Sequence, residues 1–172
     1  DYIKLLYARI GKTMSPISGK EVKKETTEDV LQYIKTLEEN TKLLLLAPYL
    51  VSDKSELDKY LNNLRKEGVN RIKIDGEVNK IEDVIENPPQ SFETISIVID
   101  RAVYKKDNEE NDSRLFESIK EAFEVGNGEC EIEQVGGNSK RFSNKFELDG
   151  ITFTIPHEHL FSFNNPLGAC SK

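Results

Sequence analysis

His157 and His159 are the only two histidines of the chain. On an extended backbone their imidazoles point to one side, a spacing at which two ring nitrogens can share a metal ion. Such a site needs further ligands. Glu158 points the other way, and Cys170 is the one thiol nearby. The competing reading is a pair of solvated surface histidines. Gly11-Lys12-Thr13 has the ending of a phosphate-binding loop, but that motif requires a glycine five residues before Gly11 and a helix after it. Leu6 stands in that place, and the helical pattern precedes the motif instead of following it. Cys130 has no companion that suggests a Cys-His pair, so it reads as a buried or idle thiol. Carboxylates are abundant, yet no two are set apart as a general acid and base. An enzyme contained within this chain is not expected.

What remains is the chemistry of recognition, and it concentrates in residues 70–77. Polar and apolar residues alternate there with the period of two that a strand demands. Ile72 and Ile74 point one way, while Arg71, Lys73 and Asp75 point the other. Asp75-Gly76 is a strong turn pair, because glycine accepts a positive φ and aspartate tolerates it. Two readings stand. The strand is half-buried and its charges keep it soluble, or its charged face is built to dock a protein.

The elements that would position this strand follow from periodicity. Residues 1–10 predict an amphipathic helix with Ile3, Leu6, Tyr7 and Ile10 on one face and Asp1 as its cap. Its abrupt start suggests a chain cut from something larger. Residues 15–19 form a turn. Thr26 or Thr27 caps a helix running to about residue 37, with Val30, Ile34 and Leu37 inward. Residues 42–48 read as a central apolar strand covered on both faces. Residues 52–67 predict a helix ended by Gly68. A looser section after Gly76 closes at Pro88-Pro89. Residues 92–104 form a second strong strand, its core portion ending at Asp100-Arg101, with Ile95, Ile97 and Ile99 on one face. A charged loop leads to a helix over 112–125, stopped by Gly126. Residues 130–135 predict a strand, and 146–153 a hairpin turning at Asp149-Gly150. The element order indicates an α/β (α+β) fold: a mixed β-sheet packed by about three helices, with a β-rich C-terminal stem.

Composition narrows the partners. With 172 residues the chain can bury a core of its own. A formal net charge of −7 argues against a free-standing nucleic-acid binder, whose affinity comes largely from neutralised phosphates. A protein partner or small ligand fits better. No apolar run approaches membrane-spanning length. Two cysteines form no disulfide framework, and no signal-peptide pattern opens the chain, so a reducing cytoplasm is the expected setting. A metal-dependent α/β enzyme built on His157 and His159, and a DNA-contacting module with a basic groove, are the alternatives from other classes.

Five stretches, in this order, resemble the UvrA family, the damage-recognition subunits of bacterial nucleotide excision repair. They are residues 1–11, Leu46-Ala47-Pro48, residues 71–77, Ile99-Asp100-Arg101 and residues 160–170. The resemblance implies a non-catalytic domain inserted in the first ABC-type ATPase half, between its Walker A and signature segments, that docks UvrB. It implies three parts: a stem helix and turn at 1–19, the interaction domain at 20–140 and a stem hairpin at 141–172. ATP, magnesium and zinc would belong to the parent protein, a homodimer through which alone DNA is met. Partner contacts are expected at Arg71, Lys73 and Arg101, with Asp75, Glu77 and Asp100 receiving partner cations or orienting the arginines. The planar guanidinium fork favours Arg71 and Arg101 over Lys73. Family members commonly carry two zinc-binding pairs, and Ser15 and Ser18 stand in place of one, Phe146 and Asp149 in place of the other. Neither hydroxyl nor phenyl replaces thiolate or imidazole around zinc, so no metal is expected here. Cys170 would be an orphan ligand of a later module.

Overall fold

The structure, a computed structural model, describes residues 11–49, 54–89, 93–148 and 150–153, together with Tyr2, Ile3 and Leu6. The chain divides into two compact units, residues 25–144 and residues 1–24 with 145–172.

The larger unit opens with helix α1, Thr27–Lys35. Its start is a capping box. The Thr26 N–H donates to Asp29 Oδ2 at 2.8 Å, and the Asp29 N–H donates to Thr26 Oγ1 at 3.3 Å. Strand β1 is Lys42–Tyr49, and helix α2 is Lys54–Lys66. Gly68, at φ 90, lets the Val69 N–H turn back to the Leu64 carbonyl at 3.0 Å and close the helix end. Strand β2, Arg71–Ile74, turns at Asp75 and Gly76, both at positive φ, into β3, Glu77–Lys80. That is the two-residue hairpin expected of Asp-Gly. Helix α3, Ile81–Glu86, follows at once. The sequence suggested only a loose section here, because elements of four and six residues repeat too few times to show a period.

Strand β4 is Ile95–Val103. Helix α4, Glu109–Val125, is capped by Asn108, whose side chain accepts the Asn111 N–H at 2.8 Å. Strands β5, Glu129–Gln134, and β6, Ser139–Ser143, complete the unit. The sequence reading missed β6, which is polar apart from Phe142.

The six strands form one sheet in the order β3-β2-β4-β1-β5-β6, and every pairing is antiparallel. The α+β class stands, but the mixed sheet is corrected to an antiparallel one. The strand-helix-strand units β1-α2-β2 and β4-α4-β5 do give parallel strands. Each, however, is split by an antiparallel strand of the other unit: β4 lies between β1 and β2, and β1 between β4 and β5. Two interleaved split βαβ units are the ferredoxin-like arrangement, here widened by edge strands β3 and β6.

Helices α1–α4 cover one face of this sheet. Val30 and Ile34 of α1 and Leu115, Ile119, Ala122 and Phe123 of α4 bury against Leu43 and Leu45. Leu57, Leu61 and Leu64 of α2, with Ile81 and Val84 of α3, bury against Ala47, Ile72, Ile74, Ile95 and Ile97. Alternation along β1 sends Leu44 and Leu46 to the other face, which none of helices α1–α4 covers. Even so, Leu46 is wholly buried and Leu44 only 7% exposed. The expectation that β1 is covered on both faces therefore holds.

In the smaller unit, residues 13–22 form a tight turn closed by a Met14–Glu21 bridge. Strands β7, Glu147–Leu148, and β8, Ile151–Thr152, make the expected hairpin around Gly150. The rings of Phe146 and Phe153 meet edge to face at 6.3 Å. Tyr2, Ile3 and Leu6 are helical and exposed; the rest of the predicted first helix lies outside the described residues.

Candidate functional site

The face of the sheet away from helices α1–α4 gathers the three cations singled out from the sequence. Strand β2 sends Ile72 and Ile74 to the core and leaves Arg71 and Lys73 on the open face, as alternation requires. Strand β4 reaches the same face by a different route. Its register against β1 slips between Leu45 and Leu46: Leu46 pairs with Val98, and Leu45 pairs with Asp100. Ile99 is thus the extra residue of a β-bulge, which reverses the parity of everything after it. Ile95 and Ile97 face the helices, and so does Asp100. Arg101, opposite Leu44, faces the open side.

Reading across the sheet, two rows become visible. One runs Val98, Leu46, Glu131, Arg141; the other runs Arg101, Leu44, Glu133, Ser139. Cations stand over β2 and β4, an apolar strip of Val98, Leu46 and Leu44 lies between, and β5 presents Glu129, Glu131 and Glu133. Lys73 reaches over the strip to an ion pair with Glu133, both side chains being less than one-fifth exposed. Arg141 pairs with Glu131 at 3.4 Å and with Glu129 at 3.9 Å. Lys73, Glu131 and Arg141 line one shallow cavity with Leu46, so the aliphatic stems of these long side chains lie beside an apolar residue of β1.

Arg71 and Arg101 differ from Lys73. Both are exposed, and neither has an ion-pair partner among the described residues. They line one cavity of about 290 Å³ together with Val98, Ile99, Glu67 and Glu121. The cavity exists because β2 is short: it pairs with β4 only at Ile95, Ser96 and Ile97, while β4 continues to Val103 beside β1. The uncovered edge of β4 is blunted from α4. Asn111 Nδ2 donates to the Val103 carbonyl at 3.0 Å, and Arg114 lies 3.4 Å from the Arg101 carbonyl.

The three carboxylates expected beside these cations lie elsewhere. Asp75 accepts the N–H groups of Thr94 and Glu93, each at 2.9 Å, and these bonds hold its carboxyl below the usual carboxylate range. It ties the β2–β3 turn to the start of β4. Asp100 is held on the helix side by Arg114 at 2.7 Å and the Ser118 hydroxyl at 3.0 Å. Glu77 pairs with Ile74 and shares its side of the sheet, at the exposed rim. The structure therefore brings Arg71, Lys73 and Arg101 to one face and does not bring the three acids with them. Sequence reasoning missed Glu129, Glu131, Glu133 and Arg141. The signal was there in Glu129-Cys-Glu-Ile-Glu133, which alternates as residues 70–77 do.

Cys130 is fully buried in the core under α4, and burial pushes its thiol up to about 12. His157, His159, Cys170 and Asp149 lie outside the described residues. Among the described residues, no group of three or more histidine, cysteine or acidic side chains converges as metal ligands do, and no helix is long and apolar enough to cross a membrane.

Comparison with known proteins agrees with the sheet geometry in pointing to recognition. A sequence profile of the UvrA interaction domain matches residues 25–136. The UvrABC system protein A of Halalkalibacterium halodurans is 37% identical over 172 residues, which covers 99% of this chain and 18% of the relative. Those of Staphylococcus epidermidis and Staphylococcus aureus are 35% and 36% identical over the same shares. The chain thus spans a little under one-fifth of the length of these relatives.

Proposed function

The chain belongs to the UvrA interaction-domain family, and on that premise we propose that it docks UvrB during bacterial nucleotide excision repair. In this reading it performs no chemistry. ATP, magnesium and zinc belong to other parts of a parent ABC-type ATPase, cytoplasmic and homodimeric, and DNA is met through that parent. One observation carries the reading: Arg71 and Arg101 stand exposed and, among the described residues, without ion-pair partners on either side of Val98, on the sheet face opposite helices α1–α4. Two guanidinium forks beside an apolar strip suit a partner surface of paired carboxylates around a small apolar contact. Lys73 supports this surface from beneath through its Glu133 pair, and Asp75 and Asp100 fix the two strands that carry the arginines. Glu77 shares the side of Ile74, at the exposed rim, and is not part of this surface.

The test is calorimetric titration of the chain with UvrB for wild type, Arg71→Ala and Arg101→Ala at two salt concentrations. Each alanine is expected to weaken binding tenfold or more, about 1.4 kcal/mol, and added salt to weaken the wild type further. Binding that ignores both substitutions and salt would move the interface off this face. A folded chain that does not bind UvrB would end the proposal.

A further inference from the structure

The turn at residues 13–22 carries the backbone of a metal-binding knuckle without its ligands. Its closure is antiparallel: the Val22 N–H donates to the Thr13 carbonyl at 2.8 Å, and the Ser15 N–H to the Lys20 carbonyl at 2.8 Å. The Gly19 N–H returns to the Ser15 carbonyl at 2.9 Å, with Gly19 at φ 65. Inside this loop the N–H groups of Ile17 and Ser18 both point at Ser15 Oγ, at 3.2 and 3.5 Å. The Lys20 N–H points at Ser18 Oγ at 3.4 Å. In a Cys-x-x-Cys knuckle the same backbone donors, two and three residues on, would point at thiolates and offset their charge while the sulfurs hold the metal. Here Ser15 is 2% exposed and its oxygen meets those donors as a neutral hydroxyl.

The residues present do not fit zinc. A serine hydroxyl is not among the thiolate, imidazole and carboxylate ligands that zinc takes. Phe146, which stands where a ligand of the second pair would be, packs its ring against Phe153 within the same unit. We infer that this turn is a metal knuckle in backbone geometry which Ser15 and Ser18 close by hydrogen bonding, so that it folds without metal. The inference is independent of UvrB docking.

Two measurements test it. In the first, amide exchange at Ile17, Ser18 and Lys20 is followed in the wild type before and after treatment with EDTA. Unchanged exchange is expected; faster exchange at these amides after EDTA overturns the inference. In the second, wild type and the double variant Ser15→Cys, Ser18→Cys are titrated with Cd²⁺. The variant is expected to gain about one equivalent of thiolate-to-cadmium absorption over the wild type, whose Cys130 and Cys170 supply the background, because the donors already face the two sulfurs. A variant that retains wild-type circular dichroism and shows no added absorption refutes the knuckle geometry. If the variant fails to fold, the exchange measurement on the wild type still decides whether metal holds the turn.

Discussion

The ion pair of Lys73 and Glu133 is the contact most open to a decisive perturbation. It joins β2 to β5 across two intervening strands, and both side chains are less than one-fifth exposed. Exposed pairs are worth about 0–1 kcal/mol, and breaking a fully buried one costs about 3–5 kcal/mol. At this depth Lys73→Met or Glu133→Gln should each cost about 1.5 kcal/mol, since either leaves its partner's charge poorly solvated over Leu44 and Leu46. With an m value near 2 kcal/mol/M, that moves the urea midpoint down by roughly 0.75 M. The double variant should cost less than the sum, with a coupling of about 1 kcal/mol, because methionine keeps the apolar cover and no charge is stranded. Costs that add to within about 0.3 kcal/mol would show that the two side chains do not meet, and would refute the reasoning. The same Lys73→Met variant should bind UvrB within about threefold of wild type, a difference of under 0.7 kcal/mol. A tenfold loss would mean that Lys73 leaves Glu133 to meet the partner.

Three further outcomes are expected. Gly126→Ala should lower stability by about 1–3 kcal/mol in urea unfolding, because a Cβ there would lie 2.1 Å from the Glu129 carbonyl oxygen; an unchanged midpoint would show that the turn between α4 and β5 yields freely. Asp75 has a folded pKa below its unfolded value, so the stability it contributes is complete above about pH 4 and is lost as pH falls through the folded pKa. Asp75→Asn should therefore flatten the fall in melting temperature between pH 5 and pH 2, and an equally steep fall would count against this carboxylate. In a Cys170→Ser background, Cys130 should resist a thiol reagent at pH 8 in the native state and react on unfolding, and rapid native labelling would place the thiol nearer the surface than its burial implies.

Long elements with clean periodicity were legible. Helices α1, α2 and α4 and strands β1, β2, β4 and β5 stand within a few residues of where spacing and caps put them, because each repeats its buried stripe at least twice. Short α3 and β3 and polar β6 were not, since Phe142 alone cannot mark a strand. The pairing pattern was not legible either. Strand-helix-strand order predicts parallel strands, and these are parallel; it does not say that another strand will be inserted between them. The open face was half legible. Arg71 and Lys73 follow from alternation beside Ile72 and Ile74, whereas the row of glutamates on β5 acquires meaning only when the register sets Glu133 beside Leu44.

Arg101 shows why the rest of the site resisted reading. In an unbroken strand it would share the parity of Ile95 and Ile97 and point into the core, while Asp100 would join Ser96 and Val98 on the open face. The bulge at Ile99 exchanges the two. Asp100 turned toward the helices is a partly buried charge, and the fold answers it with Arg114 and Ser118, one turn apart on α4. Arg101 turned outward gains a position beside Val98 and across the notch from Arg71. An inserted residue thus does two things at once: it ties β4 to α4 through a carboxylate, and it delivers a guanidinium to the face that a partner can reach. Neither follows from counting residues along Ile95–Val103. Both follow once Leu45 is known to pair with Asp100 and Leu46 with Val98.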